Sequence, residues 1–128
     1  MASGNGRRGR ILVVDDDDDC LSALQLLLGH EGFDVEIAAG GEEALARIGE
    51  CPPDVLLSDV RMPGMDGFAL LRAARVGHDF PMILMSGDGM DAAAVRSVGA
   101  VEYLVKPLDF ETMVRAIDRA LALRKGPG

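Results

Sequence analysis

The sequence predicts an α/β domain in which a doubly wound, five-stranded parallel sheet carries helices on both faces. Five short apolar runs alternate with five stretches of helical periodicity, which is the pattern of repeated strand–helix units. The runs are continuously apolar, as expected of parallel strands that are covered on both faces. With 128 residues, the chain has the length of one domain and can bury a core without disulfide bonds.

The first two strand–helix units are predicted within residues 11–48. Residues 11–14 are β-branched or leucine, and residues 35–38 form the second apolar run. The first helix is predicted to have its N-cap at Asp18 or Asp19, because an aspartate side chain can accept hydrogen bonds from the first amides of a helix. The apolar faces of the two helices are marked by Leu21, Leu24 and Leu28 and by Ala44, Leu45 and Ile48.

The remaining three units follow Pro52 and Pro53, which prevent the second helix from continuing. The strands are predicted at residues 55–58, 82–85 and 102–105. Asp66 is predicted to cap the third helix and Asp109 the fifth, while Asp91 is expected to open a fourth, alanine-rich helix that runs through Val98. The apolar stripe of the fifth helix consists of Phe110, Met113, Val114, Ile117 and Leu121.

The domain is expected to span residues 10–123. Residues 1–9 are rich in glycine and arginine and are expected to form a flexible basic segment, and residues 124–128 a tail or linker stub. No apolar stretch resembles a signal peptide or approaches the ~20 residues of a membrane helix. Because two cysteines, Cys20 and Cys51, do not make a disulfide framework, the expected location is the cytoplasm, without membrane association.

The charge balance argues against direct nucleic-acid binding by this domain. The net charge is −8, from 21 acidic and 13 basic residues, and a chain of this sign is repelled by a phosphate backbone. Aromatic residues make up 4% of the chain and tryptophan is absent, which disfavours recognition by base stacking.

Charged or hydroxyl side chains follow four of the five predicted strands. Asp15 opens a run of five aspartates after the first strand, and Asp59, Ser86 and Lys106 follow the third, fourth and fifth. The segment after the second strand, Ala39-Gly40-Gly41, carries no such group. Because the carboxyl ends of parallel strands meet at one edge of the sheet, where ligands bind, these side chains are expected to converge.

The expected cluster suits a divalent cation and phosphoryl transfer. Neighbouring carboxylates repel one another unless a cation balances them, and hard oxygen ligands suit Mg²⁺ or Mn²⁺. A carboxylate beside such a cation can accept a phosphoryl group, whose charge a lysine and a hydroxyl would stabilise. Lys106 is one of only two lysines against eleven arginines, which points to a requirement for a compact ammonium group at this strand end.

Four segments of the chain resemble the receiver domain of response regulators in bacterial two-component signalling. The segments are Ile-Leu-Val-Val-Asp-Asp (11–16), Pro-Asp-Val-Leu-Leu-Ser-Asp (53–59) with Met-Pro-Gly-Met-Asp-Gly (62–67), Met-Ile-Leu-Met-Ser (82–86) and Tyr-Leu-Val-Lys-Pro (103–107). The resemblance covers residues 10–123, and it implies a flavodoxin-like fold with strand order 2-1-3-4-5.

The resemblance also implies a phosphoacceptor and a metal site. Asp59 would accept the phosphoryl group. Asp16 would bind Mg²⁺ or Mn²⁺ directly and Asp15 through water. Asp59 and the backbone carbonyl of Arg61 would complete the protein ligands.

A set of phosphoryl-binding and switch residues is implied in the same way. Ser86 corresponds to the hydroxyl that turns toward the phosphoryl group, and Lys106 to the lysine that pairs with its oxygens. Tyr103 corresponds to the aromatic switch residue, and Pro107 is expected to follow a cis peptide bond.

The implied function is that of a phosphorylation-activated signalling switch. A sensor histidine kinase or a phosphotransfer protein would donate the phosphoryl group, and the domain would catalyse only its own phosphorylation and dephosphorylation. Output would come from homodimerisation or partner binding through the face of the fourth helix, fifth strand and fifth helix. Residues 91–109 resemble receivers of transcriptional activators, which points to transcription regulation.

Three other functions are weighed against this interpretation. One is a degenerate receiver that acts as a protein-binding scaffold. Another is a small hydrolase, since Asp15-x-Asp17 resembles the nucleophile motif of haloacid-dehalogenase-like phosphatases, although Asp19 stands where Thr or Val is expected and there is no room for a cap domain. A flavin carrier on the same fold is disfavoured, because five carboxylates would repel the flavin phosphate.

Overall fold

The computed structural model describes residues 8–87 and 92–125, which form five strands and five helices in strict alternation. Their order agrees with the prediction. The elements are β1 (Arg10–Val14), α1 (Asp18–His30), β2 (Asp34–Ala38), α2 (Gly41–Glu50), β3 (Val55–Asp59), α3 (Gly67–Ala74), β4 (Met82–Ser86), α4 (Ala92–Ser97), β5 (Glu102–Val105) and α5 (Phe110–Lys125).

The five strands form one parallel sheet with the order β2-β1-β3-β4-β5, which confirms the predicted doubly wound topology. The register pairs Val14 with Ser58, Asp59 with Met85, and Ser86 with Val105. The carboxyl ends of β1, β3, β4 and β5 therefore lie nearly level. This alignment brings the residues that follow them to one edge of the sheet.

Two apolar layers cover the sheet, one on each face. Alternate residues of each strand point to opposite faces, so that Leu12 and Val14 join one layer and Ile11 and Val13 the other. The first layer contains buried residues of α2, α3 and α4, and the second contains those of α1 and α5. Within the described residues, none of the helices combines the length and the apolar composition that crossing a membrane requires.

The start of α1 differs from the prediction. The N-cap is Asp17, not Asp18 or Asp19, and its side chain accepts hydrogen bonds from the amides of Asp19 (3.0 Å) and Cys20 (3.3 Å). Asp17 is the last residue with extended backbone, whereas Asp18 and Asp19 already lie in the first helical turn. Three consecutive aspartates are equally good caps by residue type, and the path of the chain out of β1 selects the first of them.

The predicted caps of two later helices agree with the structure. The Asp66 side chain accepts a hydrogen bond from the Ala69 amide (2.8 Å), and the Asp109 side chain accepts one from the Thr112 amide (2.9 Å). Asp91, which is expected to open α4, lies outside the described residues. The described part of that helix ends at Ser97 and not at Val98, a difference within the usual uncertainty of helix boundaries.

Arg8 contacts the folded domain, although the sequence places it in a flexible basic segment. Its guanidinium binds both carboxylate oxygens of Asp118 on α5 (2.6 Å each) and one carboxylate oxygen of Glu31 (3.2 Å). It also lies 4.5 Å from the centroid of the Phe33 ring, while the Arg8 amide donates to the Gly32 carbonyl (2.8 Å). Arg8 therefore links the last helix to the connection between α1 and β2.

Candidate functional site

Four polar side chains converge at the carboxyl edge of the sheet. Asp15 follows β1, Asp59 ends β3, Ser86 ends β4 and Lys106 follows β5. Three of these residues are buried, with exposed fractions of 1% for Asp15, 8% for Asp59 and 2% for Ser86. Backbone hydrogen bonds fix this edge, since the amides of Asp15 and Lys106 donate to the carbonyls of Ala38 (3.2 Å) and Ser86 (2.8 Å).

Lys106 bridges two carboxylates. Its ammonium nitrogen lies 2.9 Å from Oδ2 of Asp15 and 3.5 Å from Oδ1 of Asp59. Burial disfavours the charged ammonium, but the two carboxylates outweigh this effect and raise the pKa of Lys106. The lysine is therefore held as a cation at the centre of the cluster.

Asp15 is stabilised in its ionised form. Burial opposes ionisation, but hydrogen bonds from Lys106, from the Asp17 amide (3.0 Å to Oδ1) and from Cys20 outweigh it and lower the pKa of Asp15. The same contact affects the thiol, because burial and the Asp15 carboxylate together raise the pKa of Cys20 to about 11. Cys20 thus remains a protonated donor beside a carboxylate.

Asp59 has a different electrostatic environment from Asp15. Burial and repulsion from the Asp15 carboxylate raise its pKa, although Lys106 and the Val60 amide (3.0 Å to Oδ1) act in the opposite direction. One ammonium group thus faces two buried carboxylates. The cluster holds an excess of negative charge, which a further cation would relieve.

A divalent cation fits the cluster. Asp15, Asp16 and Asp59 each offer a carboxylate oxygen, and these oxygens lie within 4.8 Å of one another. Asp15 and Asp59 are buried whereas Asp16 is exposed, so that the group opens to solvent on one side. Hard oxygen donors with access for water are the ligands that Mg²⁺ and Mn²⁺ prefer.

Residues 11–118 match the sequence model of the response regulator receiver domain. The chain belongs to this family. In its structure, the strand order, the acidic cluster and Lys106 are found where the four sequence segments place them.

Curated relatives of this receiver domain are transcriptional regulators. The DNA-binding transcriptional regulator NtrC of Salmonella typhimurium is 40% identical over 119 residues, which cover 91% of this chain and 25% of that protein. The transcriptional regulatory protein AruR of Pseudomonas aeruginosa is 40% identical over 112 residues, which cover 82% of this chain and 46% of that protein. The chain therefore spans 25% of the length of NtrC and 46% of the length of AruR.

Solved structures give the same family. The chemotaxis protein CheY4 of Vibrio cholerae superposes with a TM-score of 0.83 at 33% identity, covering 87% of this chain and 97% of that chain. A CheY-like receiver domain protein from Methanospirillum hungatei superposes with a TM-score of 0.85 at 32% identity, covering 93% of this chain and 98% of that chain.

The remaining predicted residues are Arg61, Tyr103 and Pro107. Arg61 is exposed and lies two residues after Asp59 in the β3–α3 loop. Tyr103 lies on β5, half-buried, and packs against the apolar layer that includes residues of α4. The peptide bond between Lys106 and Pro107 is cis, the form that the family resemblance implies.

Two residues near the site are not among the site residues that the sequence predicts. A Cβ atom at Gly67 would collide with the carbonyl oxygen of Asp59 and would lie 2.9 Å from Cα of Val60, so that α3 can begin directly beneath the end of β3 only with glycine there. Cys20 would be taken for a packing residue, but its thiol interacts with Asp15. A glycine directly after the predicted cap Asp66 is the one sequence signal for such a close approach.

Proposed function

We propose that this receiver domain is a phosphorylation-activated switch and that Asp59 is its phosphoacceptor. The observation that carries the proposal is the position of the Asp59 carboxylate. It is buried at the end of β3, 3.5 Å from the Lys106 ammonium and within one acidic cluster with Asp15 and Asp16. This arrangement supplies a nucleophile, a cation and a metal-binding group at one point.

The metal ligands in this proposal are the carboxylates of Asp15, Asp16 and Asp59 and the backbone carbonyl of Arg61. Asp16 is exposed and would bind the cation directly, whereas Asp15, which is paired with Lys106, would act through water. When bound, Mg²⁺ or Mn²⁺ supplies positive charge that stabilises the transferring phosphoryl group.

Asp59 then acts as the nucleophile toward a phosphohistidine of a sensor kinase or phosphotransfer protein. Because Oδ1 accepts a hydrogen bond from the Val60 amide, we assign Oδ2 as the attacking oxygen. The new bond joins this oxygen to phosphorus, the phosphorus–nitrogen bond breaks, and its electron pair remains on the histidine nitrogen. Lys106 pairs with the phosphoryl oxygens, and the Ser86 hydroxyl donates a hydrogen bond to one of them.

The switch in this proposal connects Asp59 to the face formed by α4, β5 and α5. Ser86 turns toward the phosphoryl group and Tyr103 moves with it, which changes the surface for a homodimer or an effector partner. Two features of the face support a docking role: Val105 is 55% exposed, and Arg119 on α5 pairs with Glu102 on β5 (2.7 Å). The names of the relatives favour transcription regulation as the output.

The proposal also covers the setting of the switch. The domain catalyses only its own phosphorylation and dephosphorylation, works in the cytoplasm, and does not itself bind nucleic acid. The receiver domain in this proposal spans residues 10–123, and Arg8, just before it, pairs with Asp118 on α5.

The test is intact mass spectrometry after incubation with acetyl phosphate, with and without Mg²⁺. We expect the wild type to gain one phosphoryl group only with Mg²⁺ and to lose it on treatment with hydroxylamine, which cleaves acyl phosphates. Asp59→Asn should gain none. Asp79→Asn is the matched control, because Asp79 is an exposed aspartate in the loop before β4 at the opposite edge of the sheet.

A phosphoryl group on Asp59→Asn would overturn the assignment of the phosphoacceptor. Failure of the wild type to gain any phosphoryl group, despite measurable Mg²⁺ binding, would instead favour a receiver that serves as a protein-binding scaffold or one that accepts the phosphoryl group only from its own kinase. Hydrolysis of a general phosphomonoester at a rate that Asp59→Asn does not change would favour a hydrolase.

A further inference from the structure

The loop after β3 packs on the one strand end that carries no polar side chain. Gly41 is the first residue of α2, follows β2 closely and is buried. A Cβ atom at this position would lie 2.8 Å from Sδ of Met65 and 2.9 Å from both its Cβ and its Cγ. Met65 therefore occupies the space that any side chain at position 41 would need.

This contact constrains the main chain and not only the methionine tip. A clash with Sδ alone could be relieved by rotation of the side chain. Cβ and Cγ are tied closely to the Met65 backbone, so a residue larger than glycine at position 41 must displace the loop itself. Met65 is partly buried and packs against the apolar layer that contains α2 and α3, which holds it at this position.

The same loop is fixed at its two ends beside the phosphoacceptor. The Val60 amide donates to the Met85 carbonyl (2.9 Å), and the Gly67 amide donates to the Val60 carbonyl (2.8 Å). Between these points lies Arg61, whose carbonyl is a proposed metal ligand. The contact of Met65 with Gly41 attaches this loop to α2 at a point between Arg61 and the start of α3.

The segment that receives Met65 is itself tied to the site. The Ala38 carbonyl at the end of β2 accepts a hydrogen bond from the Asp15 amide (3.2 Å), and the Ala39 amide donates to the side chain of Glu43 on α2 (3.0 Å). Gly41 thus stands on a backbone whose position is fixed relative to Asp15. The contact of Met65 with Gly41 therefore fixes the position of the β3–α3 loop relative to the acidic cluster.

We propose that Gly41 and Met65 are positioning residues for the metal site. Because Gly41 has no side chain, Met65 can pack directly against the start of α2. This contact holds the β3–α3 loop, and with it the Arg61 carbonyl, in the position that metal binding requires. This inference rests on the proposed function in assigning Arg61 as a ligand. The anchoring of the loop by Met65 can be tested separately from that assignment.

The test compares Gly41→Ala and Met65→Ala with Gly49→Ala. Gly49 is the matched control, because it lies in the same helix and a Cβ atom there has no neighbour within 4 Å. Calorimetric titration with Mg²⁺ alone measures the affinity, and we expect about a tenfold loss in each of the first two variants, typical of residues that orient metal ligands. Gly49→Ala should bind Mg²⁺ as the wild type does.

A second readout needs no metal. Hydrogen exchange of the peptide that covers residues 60–66 should be faster in metal-free Gly41→Ala and Met65→Ala, and unchanged in Gly49→Ala. Because the two substitutions break one contact, the double variant should lose no more affinity than the weaker-binding single variant. Circular dichroism checks that each variant is folded, and Met65→Ala, which introduces no clash, decides the question if Gly41→Ala is unfolded.

Unchanged Mg²⁺ affinity in folded Met65→Ala would overturn the positioning role. Fully additive losses in the double variant would also overturn it, since they would show two independent effects. If the wild type itself binds no Mg²⁺, the proposed metal site fails. The exchange measurement then decides whether Met65 anchors the loop, and equal exchange in all variants would overturn that as well.

Discussion

Lys106 holds two buried carboxylates together, but it does so unequally. Its ammonium is nearer to Asp15 (2.9 Å) than to Asp59 (3.5 Å), and the pKa of Asp15 is lowered while that of Asp59 is raised. Burial and the Asp15 carboxylate together disfavour the ionised form of Asp59. Such local destabilisation is common at functional sites, where it coexists with a stable fold around them.

Replacing Asp59 by asparagine should stabilise the metal-free protein. Burial and the Asp15 carboxylate raise the pKa of Asp59, which means that its ionised form lowers the stability of the fold at neutral pH. We expect Asp59→Asn to increase the free energy of unfolding by about 1 kcal/mol, or roughly 4 °C in Tm, at pH 7. Thermal unfolding followed by circular dichroism in the presence of EDTA measures the difference.

Saturating Mg²⁺ provides the control for this effect. A bound cation stabilises the wild type more than a variant that lacks one carboxylate ligand, so the advantage of Asp59→Asn should shrink or reverse. A metal-free variant that is less stable than the wild type would show that the hydrogen bond from Val60 outweighs the repulsion.

The site residues could be predicted where a position at the end of a strand already implies that side chains lie close together. Asp15, Asp59 and Lys106 each follow a strand, and a parallel sheet brings its strand ends together. Gly41 and Arg8 could not be predicted, because their importance lies in distant partners. The guanidinium of Arg8 binds Asp118, 110 residues away, and no local pattern indicates which of many carboxylates it meets.

At the scale of elements, the start of α1 decides which aspartates belong to the site. Asp17 caps the helix, Asp18 and Asp19 lie within its first turn, and Asp16 stays outside it near Asp15 and Asp59. One uniform run of aspartates thus has three structural roles. The sequence predicted the strand and the helix from their apolar patterns, and the family resemblance assigned Asp15 and Asp16 to the site. Identical residue types gave no basis for choosing Asp17 as the cap.

Alanine substitution should separate these roles. Asp17→Ala removes the side chain that accepts two amide hydrogen bonds and should lower the free energy of unfolding by about 1 kcal/mol, the usual cost of losing an N-cap. Urea denaturation measures it. Asp18→Ala is the matched control and should be nearly neutral, and a larger loss for Asp18→Ala than for Asp17→Ala would contradict the observed cap.

The start of α3 determines the position of the phosphoacceptor in a similar way. Gly67 begins the helix against the carbonyl of Asp59 and Cα of Val60, so a side chain there must push α3 away from β3. We expect Gly67→Ala to lower the free energy of unfolding by about 2 kcal/mol or more, as overpacking of a core does, and to slow phosphorylation by acetyl phosphate.

Gly49→Ala provides the comparison for Gly67→Ala within the same denaturation series. A Cβ at Gly49 meets no neighbour, and alanine is favoured over glycine inside a helix by about 0.5–1 kcal/mol. That variant should therefore be as stable as the wild type or more so. Equal stability of the two variants would mean that α3 shifts without resistance and that Gly67 does not fix Asp59.

On the scale of the whole molecule, the fold brings negative charges together at one edge of the sheet with fewer positive charges beside them. The chain carries a net charge of −8, and the parallel sheet places aspartates from β1 and β3 at one edge with Lys106 between them. The order of the five strands was predictable once the sequence segments were recognised. The strength of the repulsion among the carboxylates could not be predicted, because it depends on burial and on the distances between side chains.

A divalent cation bound at this acidic edge should stabilise the whole protein. A ligand that binds only the folded state at a hundred times its dissociation constant adds about 2.7 kcal/mol to the free energy of unfolding. We therefore expect Mg²⁺ to raise Tm by several degrees in differential scanning calorimetry. Sodium chloride at equal ionic strength should do less, because it screens the carboxylates without binding them together. An equal rise with both salts would show that general screening, and not a metal site, relieves the repulsion at this edge.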